Sequence, residues 1–280
     1  MILAVASGKG GTGKTTVAVG IARSVENAQY VDCDVEEPNG HLFLRPTVER
    51  RLPVTIPIPR VDEDRCTHCG VCAEVCEFNA IAVFPNLVMV FDGLCRGCGA
   101  CKELCPEKAV REEDHVIGLL EFGHAGRLDF LQGVLNPGEP VAAPVIRRLK
   151  KELDPDRTVI LDAPPGTGCP VVETVRASDF CILVTEPTPF GLHDLKLAVE
   201  MLRELHVPYG VVINKSGLGD EGVRRYCEAE HIPVLLRIPF DRRIAEAYSR
   251  GRSLVEAVPE YAEKFRRLVT EIRETAAAGD

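Results

Sequence analysis

The chain has 280 residues, 45% of them hydrophobic and 27% charged, proportions that suit one large folded core or a core with a small satellite. Its formal net charge of −9 argues against general affinity for nucleic acid or anionic membrane. No basic segment leads an apolar stretch at the N-terminus, and no apolar run approaches the ~18–20 residues of a membrane span. Together these features predict a cytoplasmic protein with no stable membrane anchor.

Ile2-Leu-Ala-Val-Ala6 is a continuous apolar run of the kind buried in parallel sheets. A Gly-rich loop follows, then a predicted helix over 14–26 and a second strand over 29–32. This β–loop–α–β opening predicts an α/β fold with a mostly parallel, doubly wound sheet. The same alternation resumes with predicted strands at 158–162, 180–184, 209–213 and 234–238, and with helices such as 192–205 and 220–230.

The middle of the chain breaks this rhythm. Residues 53–60 (PVTIPIPR) are Pro-rich and read as a linker. Beyond them one unit occurs twice, starting at Val61 and again at Val90, an offset of 29 positions. Two copies of a short unit predict a small pseudo-twofold α+β domain over 60–112, inserted into a discontinuous larger domain of 1–59 and 113–280. Residues 113–156 read as the return into the larger core.

Twelve cysteines are present, and eight fall in the insert. Cys66, Cys69, Cys72 and Cys76 are spaced x2-x2-x3, as are Cys95, Cys98, Cys101 and Cys105, the last followed by Pro106. Each set resembles the bacterial ferredoxin run. Two residues between thiolates let a tight loop wrap three corners of a cubane, and Gly70, Gly97 and Gly99 ease the backbone around it. In such domains the fourth cysteine of each run serves the other cluster. The resemblance therefore implies two 4Fe–4S clusters, one held by Cys66, Cys69, Cys72 and Cys105, the other by Cys95, Cys98, Cys101 and Cys76. Zinc also binds CxxC pairs, but duplicated x2-x2-x3 spacing is an odd design for it. Glu77 stands where the second run has Pro106, which removes no ligand, and His68 reads as a solvent-facing spacer.

Gly8-Lys9-Gly10-Gly11-Thr12-Gly13-Lys14-Thr15 fits the phosphate-loop pattern between a strand and a helix. Such glycines turn backbone N–H groups toward phosphate, and the helix that follows at Thr16 adds its positive end. Lys14 is placed on the β- and γ-phosphates, and the Thr15 hydroxyl on Mg²⁺. Leu161-Asp162 closes an apolar strand as a magnesium-holding carboxylate would.

The second lysine, Lys9, makes KGGTGKTT resemble the deviant motif of the MinD/ParA/Mrp superfamily of P-loop (SIMIBI-type) ATPases. That likeness spans the chain outside the insert. It implies ATP with Mg²⁺, a nucleotide-sandwich homodimer, and Lys9 reaching the partner's phosphates. It also implies that Asp34 orients the attacking water while Asp32 supports the metal shell. Gly166, in Pro164-Pro-Gly-Thr-Gly168, is implied as a γ-phosphate donor, Asn214 as the reader of the adenine edge, and Pro239 as part of the loop beside the base.

Four cysteines remain. Cys181 and Cys227 lie in strand and helix patterns and read as buried apolar residues, while Cys33 lies between Asp32 and Asp34. Cys169 lies seven residues after Asp162, an offset similar to that of a cluster ligand in nitrogenase iron proteins, without a second ligand beside it. Tyr261, Phe265, Leu268, Val269 and Ile272 have helical spacing and predict a C-terminal helix packed on its own domain rather than a membrane-seeking tail.

These features lead first to an ATP-gated electron carrier that meets a redox partner through a hinge-like movement of the insert. A cluster carrier of Mrp type, delivering to an apo-acceptor, is the alternative. It is disfavoured because no CxxC follows Cys105. A positioning protein on membrane or DNA fits neither the charge nor the cysteines, and no substrate domain marks an amidotransferase.

Overall fold

The computed structural model describes residues 1–277. β1 (Ile2–Ala6) enters the Gly-rich loop and α1 (Lys14–Ser24), and β2 (Ala28–Asp32) follows close to its expected place. A short α2 (Gly40–Leu44) leads to β3 (Thr47–Val61). The repeated unit supplies α3 (Val71–Glu74), β4 (Ile81–Phe84), β5 (Leu87–Val90) and α4 (Ala100–Glu103). The chain returns through β6 (Val110–Ala125), β7 (Leu128–Leu135) and α5 (Ala143–Lys150). Strands and helices then alternate as β8 (Thr158–Asp162), α6 (Cys169–Val175), β9 (Phe180–Thr185), α7 (Pro189–Glu204), β10 (Tyr209–Ser216), α8 (Gly222–Ala229) and β11 (Val234–Pro239). Three helices finish the described chain: α9 (Arg242–Ser249), α10 (Leu254–Ala257) and α11 (Glu260–Ala277).

Nine strands form one sheet in the order β11-β10-β9-β1-β8-β2-β7-β6-β3. All neighbours from β11 to β7 are parallel, and β6 and β3 close one edge antiparallel. The strands alternate between two cores, as a period of two requires. Leu3 and Val5 pack with α1 and α11, whereas Ala4 and Ala6 face the side that holds α5, α6 and α7. The C-terminal helix belongs to the first of these layers. Phe265 is fully buried and the other four residues of its apolar stripe are nearly so, as the sequence predicted.

Residues 53–60 are a strand, not a linker. They lie within β3, which pairs with β6 from Thr47↔His124 to Val61↔Val110, with irregularities after Val48 and Val54. Proline lacks the ladder N–H, so its place in a sheet is an edge, where alternate N–H groups have no partner strand to meet. β3 is that edge, and Pro57 and Pro59 occupy alternate positions on it. The return segment is likewise the β6–β7 hairpin. β3 and β6 run past positions 60 and 112, so an antiparallel ribbon carries the insert.

The 29-residue repeat is visible in the backbone. The pair Val61↔Val110 at the end of the ribbon is repeated as Val90↔Ile81 in the β4–β5 hairpin. Left-handed residues match as well: His68 with Gly97, Gly70 with Gly99, and Asn79 with Lys108.

Candidate functional site

The C-terminal ends of β1, β2 and β8 meet at one point, because Asp162 pairs in register with Val5 on one side and Asp32 on the other. The phosphate-loop pattern leaves β1 there. Two close approaches demand glycine in it. A Cβ at Gly8 would lie 2.2 Å from the Asp194 carbonyl oxygen, and one at Gly13 would lie 2.1 Å from Asn214 Nδ2. Gly13 also has φ +91°, which side chains rarely adopt.

Lys14, the first residue of α1, turns inward. Its Nζ donates to Asp162 Oδ1 at 2.6 Å, and both side chains are buried. Tyr30 donates its hydroxyl to the other oxygen of Asp162 at 2.8 Å. Burial alone would lower the Lys14 pKa, but the charge and hydrogen bond of Asp162 hold it above its ordinary value. Lys14, expected on phosphate, and Asp162, expected on magnesium, are thus brought into direct contact.

Asp32 is fully buried and accepts from the backbone N–H groups of Asp34, Asn39 and Gly40 at 3.1, 3.1 and 2.9 Å. Burial, then the charge of Asp162, pushes its pKa up against the opposing pull of Lys14 and of these N–H groups. Asp34 is partly exposed, and burial raises it to about 6 while Lys14 opposes the rise. The charges of Asp162, Asp32 and Asp34 thus all act on Lys14. Thr15 is buried beside them, with its hydroxyl 3.5 Å from Lys14 Nζ.

The other expected residues lie around the loop. The Gly166 N–H donates to the Ser7 carbonyl at 2.9 Å. Asn214 donates from Nδ2 to the Thr12 carbonyl at 2.7 Å and braces the loop from behind. Pro239 ends β11 beside Ser216, and Phe240 after it is exposed. Gly10 and Gly11 are open to solvent, and Thr16 faces partly outward. Lys9 is bound within its own chain by Glu186, a residue the sequence reading missed, as it missed Lys215 and Tyr30. Glu186 had a signal, being a carboxylate just past a parallel strand; Tyr30, one aromatic inside a buried strand, had none.

The eight insert cysteines form two sets around two hollows. One small hollow is lined by Cys66, Cys69, Cys72 and Cys105. The other is lined by Cys76, Cys95, Cys98 and Cys101. These are the crossed sets that the ferredoxin resemblance implied. Sulfur-directed amides repeat at the same offset: His68 and Gly97 donate to Cys66 and Cys95, and Ala80 and Ala109 to Cys76 and Cys105, at 3.3–3.4 Å. Among the described residues no three metal-binding side chains converge on a single-ion position. Ringed thiols with backbone donors suit a polynuclear sulfide core, whose ligands must stand apart. The second hollow adjoins the main core. Ala80 and Cys95 belong to the same packed cluster as Val35 and Ala163, which follow β2 and β8 beside the phosphate loop.

Cys33, Cys181 and Cys227 are buried, whereas Cys169 is exposed at the start of α6. No described helix is long and apolar enough to cross a membrane.

Comparison with known proteins agrees with this geometry. The chain is 31% identical over 279 residues to an uncharacterized protein of Methanocaldococcus jannaschii, covering 98% of this chain and 97% of that one. It is 26% identical over 303 residues to an iron-sulfur cluster carrier protein of Pyrococcus horikoshii, covering 99% and 88%. The solved septum site-determining protein MinD of P. horikoshii, complexed with Mg-ADP, superposes with a TM-score of 0.60 at 19% identity, covering 100% of this chain and 98% of that one. The CobQ/CobB/MinD/ParA nucleotide binding domain matches residues 3–255, and the chain belongs to that family of P-loop ATPases.

Proposed function

We propose that the protein is a Mg²⁺-dependent ATPase, acting as a homodimer, in which nucleotide turnover controls electron transfer through two 4Fe–4S clusters in the insert. The observation that carries this reading is the pair of four-cysteine hollows, one of which shares Ala80 and Cys95 with the hydrophobic core on one face of the sheet. When bound, such clusters store and pass single electrons. Lys14 and Thr15 would hold phosphate and Mg²⁺, Asp162 and Asp32 the metal shell, and Asp34 the attacking water. Lys9 would cross to the partner's phosphates. A change at the loop would reach the insert through the paired strands β3 and β6.

A second reading, cluster delivery to an apo-acceptor, is favoured by the name of the Pyrococcus relatives. Against it stand the closed ligand sets and the lack of a CxxC after Cys105.

Anaerobically prepared protein should be assayed for iron and sulfide, then titrated potentiometrically with and without Mg-ATP. The electron-transfer reading expects a nucleotide-dependent change in potential or spectrum that Lys14→Ala abolishes. Clusters indifferent to ATP would sink gating. Loss of iron from this chain to an apo-acceptor would establish the second reading.

A further inference from the structure

The two hollows have the same ligands and the same backbone donors, so their functional difference must lie where the repeat breaks. One break comes just after the first cysteine of each run. Thr67 follows Cys66, is exposed and lines the first hollow, whereas Arg96 follows Cys95, is partly buried and lines the second. The loop of Arg96 lies against the ribbon, where a Cβ at Gly97 would stand 3.1–3.2 Å from Pro57 and Ile56. The Arg96 guanidinium carbon lies 5.7 Å from the Phe78 ring centroid, and its Nη1 is buried with no hydrogen-bond partner. Arginine keeps its charge at every accessible pH, and a buried donor without an acceptor is costly unless an anion sits nearby.

The other charges do not cancel this asymmetry. Glu112 lines the same hollow, but Lys102 Nζ lies 2.7 Å from its carboxylate. The first hollow is lined by Glu107, which is exposed, and by His68. Arg65 and Lys108 flank it at the surface, where water and salt screen them.

We propose that Arg96 tunes the Cys76, Cys95, Cys98 and Cys101 hollow to be the electron sink of the pair, so that electrons entering the insert settle beside the ATPase core. This rests on the reading of the eight cysteines as ligands of two 4Fe–4S clusters. The step is a one-electron reduction of a [4Fe–4S]²⁺ core to [4Fe–4S]⁺ by a low-potential one-electron donor. No bond forms and no proton moves. With four thiolates the site passes from a charge of −2 to −3, and a nearby, partly buried guanidinium favours the more negative state. Arg96 is a tuning residue that bonds to no iron.

The test is an EPR-monitored potentiometric titration of the anaerobic full chain with dithionite, preceded by iron and sulfide analysis. Two one-electron waves are expected. Arg96→Gln should lower the higher wave and leave the lower one in place. The relative occupancy of the sink should fall about tenfold, equivalent to about 59 mV for a one-electron couple. Arg96→Lys should retain most of the separation. Thr67→Arg should raise the lower wave, and it decides the matter if Arg96→Gln loads incompletely. Fully loaded protein whose waves coincide, or ignore these substitutions, overturns the proposal while leaving the clusters intact. Wild-type protein without iron and sulfide removes the cluster reading and this proposal with it.

Discussion

Lys9 Nζ lies 2.5 Å from Glu186 Oε1 of the same chain, and Lys215 reaches Glu186 Oε2 at 3.1 Å. Burial would raise the Glu186 pKa, but hydrogen bonds from both lysines hold it below its ordinary value. Lys215 also donates to the Gly11 carbonyl at 3.1 Å, so one carboxylate ties two cations to the phosphate loop. Before Lys9 can serve a partner's phosphates, it must leave Glu186.

Glu186→Gln should therefore strengthen ATP-dependent dimer formation. A partly exposed ion pair contributes up to about 1 kcal/mol and each dimer breaks two of them, so association should improve up to about thirtyfold. Light scattering with Mg-ATP measures this. A weaker dimer would mean that Glu186 is needed across the interface.

The Lys14–Asp162 pair has a different character because both partners are out of water. Lys14→Met should abolish nucleotide binding and also leave Asp162 and Asp32 without their cation, a loss of about 3–5 kcal/mol of stability. Adding Asp162→Asn should restore much of the denaturation midpoint and none of the nucleotide binding. Equal instability of the single and double variants would argue against the pair.

Asp32 and Asp34 link stability to pH. Burial first, with Asp162 second, raises Asp32 to about 7, and burial raises Asp34 to about 6, from an ordinary 3.8. The folded protein therefore binds more protons than the unfolded chain across that interval. The associated stability is complete below about pH 4 and is lost as pH rises through 6 and 7. Without nucleotide, Tm should fall between about pH 4 and 7 and level off above, by about 2–4 °C per kcal/mol lost. Mg-nucleotide favours the ionised carboxylates, so its Tm increment should grow over the same window. Asp32→Asn should flatten the dependence; an unchanged slope would sink the assignment.

Much of this was legible in the sequence because the strongest signals are local. A glycine loop between an apolar strand and a helix fixes its own geometry, and the repeat offset carried the crossed cysteine sets through to both hollows. The Pro-rich stretch misled for a physical reason. Proline excludes helix and central strand, yet an edge strand tolerates it, and edge status depends on neighbours far away in sequence. The partners of Lys9, Lys14 and Asn214 were hidden for the same cause. Glu186 and Asp162 reach the loop only through sheet order, as does Asn214, which donates to the Thr12 carbonyl.

The C-terminal helix offers a check on the packing. Phe265 is fully buried, and a Cβ at Gly20 of α1 would lie 2.5 Å from its ring. Phe265→Ala should cost about 3–5 kcal/mol. Gly20→Ala should cost about 1–3 kcal/mol by overpacking. A membrane-seeking tail would instead tolerate both, and liposome binding would change while stability did not.

The crossed cysteine sets make the sharpest prediction, since two double variants that remove equal numbers of thiols should differ. Cys66→Ser with Cys105→Ser takes both thiols from one hollow. Cys76→Ser with Cys105→Ser removes the last cysteine of each run and so damages both hollows. With four irons per cluster, the first variant should keep about four irons per chain and the second markedly fewer. If each run instead held its own cluster, the first variant, with one thiol lost from each run, would be no better loaded than the second. Iron and sulfide analysis after anaerobic reconstitution separates the two arrangements without any assay of activity.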